Sequence, residues 1–410
     1  MNQQQNEAGI LFQVPRSKPD QDKSNSLNIP RRSDPVFYNP RQALNRDISV
    51  LALQAWAHLQ FPVKNLLEAF AGTGIRALRY ALQGPSFQTI FVNDVSTQAI
   101  QLCQTNFAPY LHEIKNRGTK INFSINHCSS FFKHASINQQ QFDIIDIDPF
   151  GTPQPFIRSA VELLGNPGLL AVTATDMPVI TGLYPNKAYK LYQISNFKVA
   201  NRSYCHEVGL RMFIAYIQRE GMSASPPCIL MPLLSYYADH YIRLFFRRIR
   251  GGEFSKIYQS HGYILDCQHC GVRRKIHLAN HMENLTSCLN CSSYVHPLGP
   301  LYLGQLHETI FLETMVHLAG QQINTGLFDR TSRLFRFLEL FLQDLIVDQV
   351  WFYNLDWVAR RYKVSLPSTQ KVVDLLKKYG HQASLTHFNG RGIRTDISLD
   401  NELPKYYSVP

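Results

Sequence analysis

Glu68-Ala-Phe-Ala-Gly72-Thr-Gly74-Ile-Arg-Ala77 is the stretch on which the reading of this chain turns. Leu66 to Phe70 has the apolar run of a short strand, and Ile75 to Leu82 has helical spacing. The glycines between them leave room for a nucleoside-type ligand to approach the backbone. Working outward, strands are expected at Thr89 to Asn93, Ile121 to Asn126, Phe142 to Ile147 and Leu169 to Thr173. A helix is expected from Thr97 to Tyr110 with Ser96 as its cap, and another within Val36 to Leu59. Strands interleaved with helices imply an α/β fold, a doubly wound and mostly parallel sheet covered on both faces. Ligands of such sheets lie beyond the carboxyl ends of the strands, at the switch point.

At 410 residues the chain has room for two or three domains of ~150 residues each. With 45% apolar and 17% charged residues, wholesale disorder is excluded. The formal net charge of +11 points to a polyanionic partner and says nothing of the fold. The first residues lack the pattern of a secretory leader, and no run of ~18 apolar residues suggests a membrane span. Nothing in the sequence singles out a protein partner. Residues 1–34 read as a flexible N-terminal segment, polar and rich in Pro, Ser, Lys and Asp from Gln13 to Asp34. Residues 35–250 carry the sheet pattern, and 251–410 form a second domain of mixed α+β character. In that part helices are expected near Gln305 to Ala319, Thr331 to Val347 and Leu355 to Tyr362. Two helices about Ser365-Leu366-Pro367-Ser368, then a strand and a Gly390-Arg391-Gly392 turn, suit a winged-helix-like module.

Of the 8 cysteines, Cys103, Cys128, Cys205 and Cys228 are scattered in apolar surroundings. The others form Cys267-Gln-His-Cys270 and Cys288-Leu-Asn-Cys291, seventeen residues apart. That spacing reads as a four-cysteine structural zinc site in a reducing compartment, hence a cytoplasmic expectation. Basic clusters occur at Arg243, Arg247, Arg248 and Arg250, at Arg273, Arg274 and Lys275, and at Arg360, Arg361 and Lys363. They read either as phosphate contacts or as solvated faces.

Two further constellations bear on chemistry. Asp94, twenty residues beyond Gly74, suits the ribose hydroxyls of a bound nucleoside, or else caps the helix after it. The glycine turn also fits a dinucleotide fingerprint. The strand ending in Asp148-Pro149-Phe150-Gly151 decides between cofactors. An exocyclic amine is a poor nucleophile because its lone pair is delocalised into the ring. A carboxylate that accepts its N–H localises the pair, aims it at a methyl group and helps remove the proton. Proline stiffens the turn and its carbonyl takes a second hydrogen bond, while the aromatic stacks on an extruded base. Hydride transfer to nicotinamide needs none of this. Asp146 shares a strand face with Asp148 and competes for the base role.

The chain resembles the tRNA guanine-N2 dimethyltransferase family, within the Rossmann-like class I methyltransferases. The likeness begins at Phe37-Tyr38-Asn39-Pro40 and Asn45-Arg46-Asp47, and continues through Gly72-Thr-Gly-Ile-Arg-Ala-Leu-Arg79 and Asp148-Pro-Phe-Gly151. Val172-Thr-Ala-Thr-Asp176, His206-Glu-Val-Gly-Leu-Arg211, Pro232-Leu-Leu-Ser235 and Ala238-Asp-His-Tyr241 follow in order. Gly299-Pro-Leu-Tyr302, Thr386-His-Phe388 and Ile393-Arg-Thr-Asp396 complete it. The resemblance implies transfer of one or two methyl groups from S-adenosyl-L-methionine to guanine 26 of tRNA, with guanine 27 left open. It implies Arg46 and Arg76 on the methionine carboxylate, Asp94 on the ribose, and Glu68, Gly72 and Gly74 around the cofactor. Asp148, Pro149 and Phe150 take the amine and its base, and the four paired cysteines take zinc. Where the family carries an acid beside the adenine, Asn126-His127-Cys128-Ser129-Ser130 has none, and Cys128 and Ser129 are assigned there. Two other readings stand beside this one. One is an amino-nitrogen methyltransferase acting on DNA adenine or protein glutamine; the other is a tRNA-binding protein without turnover.

Overall fold

The computed structural model describes residues 2–15, 36–194, 197–251, 254–279, 286–323, 328 and 332–399. The chain opens with a hairpin, β1 (Asn2–Glu7) and β2 (Ile10–Pro15), followed by helix α1 (Ala43–His58). The sheet region runs β3 (Asn65–Glu68), α2 (Ile75–Gln83), β4 (Thr89–Asp94), α3 (Thr97–Phe107), α4 (Leu111–Asn116), β5 (Lys120–Ile125) and α5 (Cys128–Ile137). It continues with β6 (Phe142–Ile147), α6 (Ile157–Leu163), β7 (Leu164–Ala174), α7 (Met177–Ile180), α8 (Pro185–Tyr192), α9 (Cys205–Met222), β8 (Cys228–Ala238) and β9 (Tyr241–Arg250). Strand order is β5-β4-β3-β6-β7-β9-β8. The first five strands are parallel and β9 runs antiparallel to both β7 and β8, so the expected doubly wound, mostly parallel sheet is present.

Alternation within the strands explains why they read as continuous apolar runs. Leu66, Ile144 and Leu169 face the layer of α1, α2 and α3, whereas Leu67, Ile145 and Leu170 face the layer of α5, α6 and α9. The direction of winding reverses between β3 and β6, which puts the ligand crevice at their carboxyl ends.

The N-terminal expectation needs correction. Residues 2–15 are an ordered hairpin and not part of a flexible 1–34 segment; 16–34 lie outside the described residues. Ile10, Phe12 and Val14 are buried, with Leu11 and Gln13 on the other face. Gln13 N–H donates to Asn106 Oδ1 (2.7 Å), and Asn106 donates back to the Gln13 carbonyl (3.0 Å), fastening the hairpin to α3. The period-two pattern beside Ala8-Gly9 carried this signal, but the polar stretch after it dominated the reading. Helices α5 and α9 also lie where no helix was expected.

Beyond β9 come α10 (Phe254–Gln259) and a three-stranded sheet of β10 (His261–Asp266), β11 (Arg273–His277) and β12 (Pro297–Tyr302), in the order β11-β10-β12. Helices α11 (Thr309–Ile323) and α12 (Arg333–Asp344) follow. The described chain ends with β13 (Tyr353–Asn354), α13 (Leu355–Tyr362), α14 (Thr369–Lys378), β14 (Ala383–Leu385) and β15 (Gly392–Thr395). Strand order β13-β15-β14 behind three helices gives the winged-helix-like arrangement.

The core does not break at residue 250. Phe311, Leu312 and Met315 of α11 join the cluster of Ile48 and Trp56 on α1. A knot of buried charge ties the C-terminal module on. Arg394 of β15 donates to Glu207 of α9 (2.9 Å) and to Asp344 of α12 (2.8 Å), and Arg211 shares Glu207 (2.9 Å). His387 donates to Asp344 and accepts the Tyr237 N–H (3.3 Å). Among the described residues no helix is long and apolar enough to cross a membrane.

Candidate active site

The glycine turn folds as the sequence suggested, and its geometry shows why glycine is needed. Gly72 and Gly74 have φ of +54° and +76°. A Cβ on Gly72 would stand 2.8 Å from the Phe37 carbonyl oxygen, and one on Gly74 would stand 2.8 Å from Cys103 Sγ. Glu68, expected at the cofactor, turns inward. It is buried and accepts the Ala77 N–H (3.1 Å), holding the first turn of α2 to the strand end. Burial pushes its carboxyl well above the usual range, against the pull of Arg76.

Asp94 closes the same turn. One oxygen accepts the Gly72 N–H and the other the Ser96 N–H, each at 2.9 Å. Ser96 in turn caps α3 through Ala99 (3.2 Å). The helix cap is thus Ser96 and not Asp94, and each Asp94 oxygen keeps a lone pair that a hydroxyl could use. Of the pair at the next strand end, Cys128 is buried in the core, its thiol pushed up to about 12 by burial, while Ser129 is exposed in the first turn of α5. Three large apolar side chains stand exposed beyond neighbouring strands: Val95 (65%) after β4, Ile125 (49%) at the end of β5 and Phe150 (61%) after β6. Exposed apolar groups at the carboxyl ends of the strands are suited to planar, partly apolar ligands.

Asp148 is the first residue past β6, and its partners distinguish it from Asp146. Asp146 is 1% exposed. It accepts two hydrogen bonds from Arg243 (2.7 Å each) and one from Tyr80 (2.6 Å). Burial raises its pKa, but Arg243 and Arg76 outweigh burial and hold it below the ordinary value. Asp148 stays partly open at the rim, where Arg76 Nη2 grips Oδ2. Arg76 is itself fixed by Asn45 Oδ1 (2.9 Å) and Ser49 Oγ (3.2 Å), both from α1. Burial works against the Arg76 charge, yet Asp148 and Asp146 hold its pKa well above normal. Pro149 is buried, and Phe150 meets Phe37 edge to face at 5.8 Å between centroids. Reciprocal bonds between Gly151 and Thr175 (2.9 and 3.0 Å) pin the Asp148-Gly151 loop to the end of β7.

Arg46 meets a carboxylate that sequence reasoning missed. Its Nε and Nη2 each lie 2.6 Å from an oxygen of Glu7, the last residue of β1. Arg79 adds a bond to Glu7 (3.1 Å) and another to Asp47 (2.6 Å). Both arginines assigned to the methionine carboxylate thus already hold an internal carboxylate: Glu7 for Arg46 and Asp148 for Arg76.

The basic cluster on β9 is not a phosphate surface at two of its positions. Arg243 is 0% exposed, and Arg248, also buried, donates to the Leu164 carbonyl. Arg247 lies over the Phe61 ring at 5.5 Å. The strand belongs to the central sheet, so Arg243 and Arg248 serve internal partners, while Arg250 at its end is exposed.

Far along the chain, Cys267, Cys270, Cys288 and Cys291 converge with their sulfurs within 4.8 Å of one another. The Cys267–Cys291 and Cys270–Cys288 sulfurs are 3.5 Å apart, far beyond a disulfide bond and close to the spacing of thiolates around one tetrahedral zinc. Backbone N–H groups of Cys270 and Asn290 point at the Cys267 and Cys288 sulfurs (3.5 and 3.4 Å). The donor set fits zinc with no open position, a structural site. Purified protein is expected to carry about one zinc per chain by plasma mass spectrometry, and Cys288→Ser to carry almost none. Equal zinc in the variant removes the assignment.

Comparison with known proteins places this geometry in context. A family model described as N2,N2-dimethylguanosine tRNA methyltransferase matches residues 16–406. The chain is similar to the tRNA (guanine(26)-N(2))-dimethyltransferase of Methanobrevibacter smithii, 31% identical over 368 residues, covering 89% of each chain. It is also similar to the tRNA (guanine(26)-N(2)/guanine(27)-N(2))-dimethyltransferase of Aquifex aeolicus, 31% identical over 378 residues, covering 90% of this chain and 89% of that protein. Among solved structures, the complex of Trm1 from Pyrococcus horikoshii with S-adenosyl-L-methionine superposes with a TM-score of 0.72 at 27% identity, covering 90% of this chain and 94% of that one.

Proposed function

Since the chain belongs to the N2,N2-dimethylguanosine tRNA methyltransferase family, we propose that it dimethylates the N2 amine of guanine 26 in tRNA with S-adenosyl-L-methionine as methyl donor. The observation that carries the reading is the division of labour between two aspartates on one strand. Asp146 is locked inside by Arg243 and Tyr80, whereas Asp148 stands at the rim beside the exposed Phe150.

The bound donor supplies an electrophilic methyl on a sulfonium. Every other requirement falls to side chains of this chain. Gly72 and Gly74 let the donor approach the backbone, Asp94 receives its ribose, and Val95, Ile125 and Ser129 border its adenine. Arg46 and Arg76 attract its carboxylate. Phe150 and Phe37 offer ring faces to the extruded guanine. Asp148 accepts one N2–H, which localises the lone pair toward the methyl, and takes up the proton released as the new C–N bond forms and the S–CH3 bond breaks, its electron pair leaving with the sulfur as a neutral thioether. That proton passes to solvent before the second round, in which the remaining N2–H occupies the same oxygen. Arg76 keeps the Asp148 carboxylate in one orientation through both rounds.

We assign tRNA gripping to the C-terminal part, residues 251–410, steadied by structural zinc on its four cysteines. With Arg243 and Arg248 buried, phosphate contacts fall to exposed cations of the winged-helix-like module: Arg360 and Lys363 near α13, and Lys371, Lys377 and Lys378 on α14. All eight cysteines are unpaired, in keeping with a cytoplasmic setting.

The test is nucleoside mass spectrometry of tRNA treated with purified protein and donor. N2,N2-dimethylguanosine at position 26 is expected. Unmodified tRNA, or label from tritiated donor entering DNA or protein instead, overturns the reading. The Aquifex aeolicus relative is named for guanine 27 as well, and the same digest reports whether this chain modifies that position.

A further inference from the structure

We infer that the N-terminal hairpin is part of the methyl-donor site, and that Glu7 is the positioning residue that aims Arg46 at the donor's carboxylate. The inference rests on the methyltransferase reading above and adds to it a residue outside every motif of the sequence.

Glu7 is held firmly. It ends β1 just before the Ala8-Gly9 turn, where both residues have positive φ (50° and 82°). The partner strand anchors the turn through buried Ile10, Phe12 and Val14 and through the paired bonds to Asn106. On this support the Glu7 carboxylate, itself buried, takes the Nε–Nη2 edge of Arg46 at 2.6 Å on each oxygen. Arg79 (3.1 Å) and the Tyr38 hydroxyl (3.4 Å) complete its contacts.

A guanidinium is planar, so a two-point grip on one edge fixes the direction of the other. The Asn39 carbonyl accepts a further bond from Nη2 (3.2 Å). These bonds use Nε and Nη2 only, so Nη1 has no hydrogen-bond partner among the described residues; Arg46 as a whole is 4% exposed, and Nη1 is not among its fully buried atoms. A desolvated cation with one open edge is a site for an anion. The surroundings place that edge at the groove. Asn45, the preceding residue of α1, holds Arg76, which holds Asp148. Phe37, just upstream of Asn39, packs its carbonyl against the Gly72 turn and its ring against Phe150. Arg46 is thus one residue from the side chain that fixes Arg76, and its own contacts are Glu7, the Asn39 carbonyl and the Tyr38 ring (5.4 Å), in the same Phe37–Asn39 segment that packs on the Gly72 turn. Glu7 orients it from behind.

Isothermal titration of the full chain separates orientation from the alternatives, using two probes that differ in the relevant group. S-adenosylhomocysteine carries the amino-acid carboxylate; 5′-methylthioadenosine has the same nucleoside without it. In Glu7→Gln, affinity for S-adenosylhomocysteine is expected to fall about tenfold, with 5′-methylthioadenosine within about twofold of the wild type. Parallel loss of both probes would make Glu7 merely structural and overturn the inference. Unchanged binding overturns it too, and tighter binding of S-adenosylhomocysteine would make Glu7 a competitor for Arg46. If the wild-type chain binds neither probe, the methyl-donor reading itself fails, which is a separate result.

Discussion

Asp148→Asn is expected to lower the single-turnover rate of methyl transfer by about a thousandfold while tRNA binding stays within a few-fold. The substitution keeps the shape of the side chain and removes the negative oxygen. An amide still touches the guanine amine, but it neither concentrates the nitrogen lone pair nor accepts the departing proton. Positioned bases of this kind contribute roughly 10²–10⁴ in rate. Arg76 loses its closest anion in the variant, yet the ionised Asp146 (3.8 Å) and its bonds to Asn45 and Ser49 remain, so the fold is expected to persist. A rapid-quench assay with tritiated donor, paired with filter binding of tRNA, reads both quantities. Full activity in Asp148→Asn, or equal loss of binding, would remove Asp148 from the role.

The second large effect is on stability. Asp146→Ala leaves Arg243, which is 0% exposed, without the carboxylate that takes two of its hydrogen bonds. Breaking a buried pair on one side costs about 3–5 kcal/mol, because the remaining charge has no solvent to turn to. Asp146→Ala and Arg243→Leu should each shift the denaturation midpoint strongly downward. The double change Asp146→Leu with Arg243→Met should be milder than either single change, since it removes both charges at once. This pattern in chemical denaturation also separates Asp146 from Asp148. Whatever fraction of Asp146→Ala remains folded should retain methyl transfer, whereas Asp148→Asn should be folded and slow.

Much of this could be read from residue order, for physical reasons that differ from element to element. The glycine turn and the flanking strands are local: apolar runs, a helix cap at Ser96 and positions that only glycine fits lie within a short window. The convergence of the four cysteines was legible because their paired spacing is a pattern in the chain itself. What escaped was pairing between distant residues. Glu7 meets Arg46 across 39 positions and Asp146 meets Arg243 across 97. No local pattern distinguishes a buried arginine on β9 from a phosphate-binding one, so Arg243 and Arg248 looked like surface charges. Glu68 looked like a ligand for the same reason, because its inward turn depends on the N–H of Ala77. The competition between Asp146 and Asp148 was visible in the strand period, but only their partners separate the two.

The knot of Arg394, Glu207, Asp344 and Arg211 carries one more consequence. It bolts the C-terminal module to the helix lining the back of the sheet, at side chains shut away from water. Span between the two ends is then a property of the polypeptide, as in a caliper set to one opening.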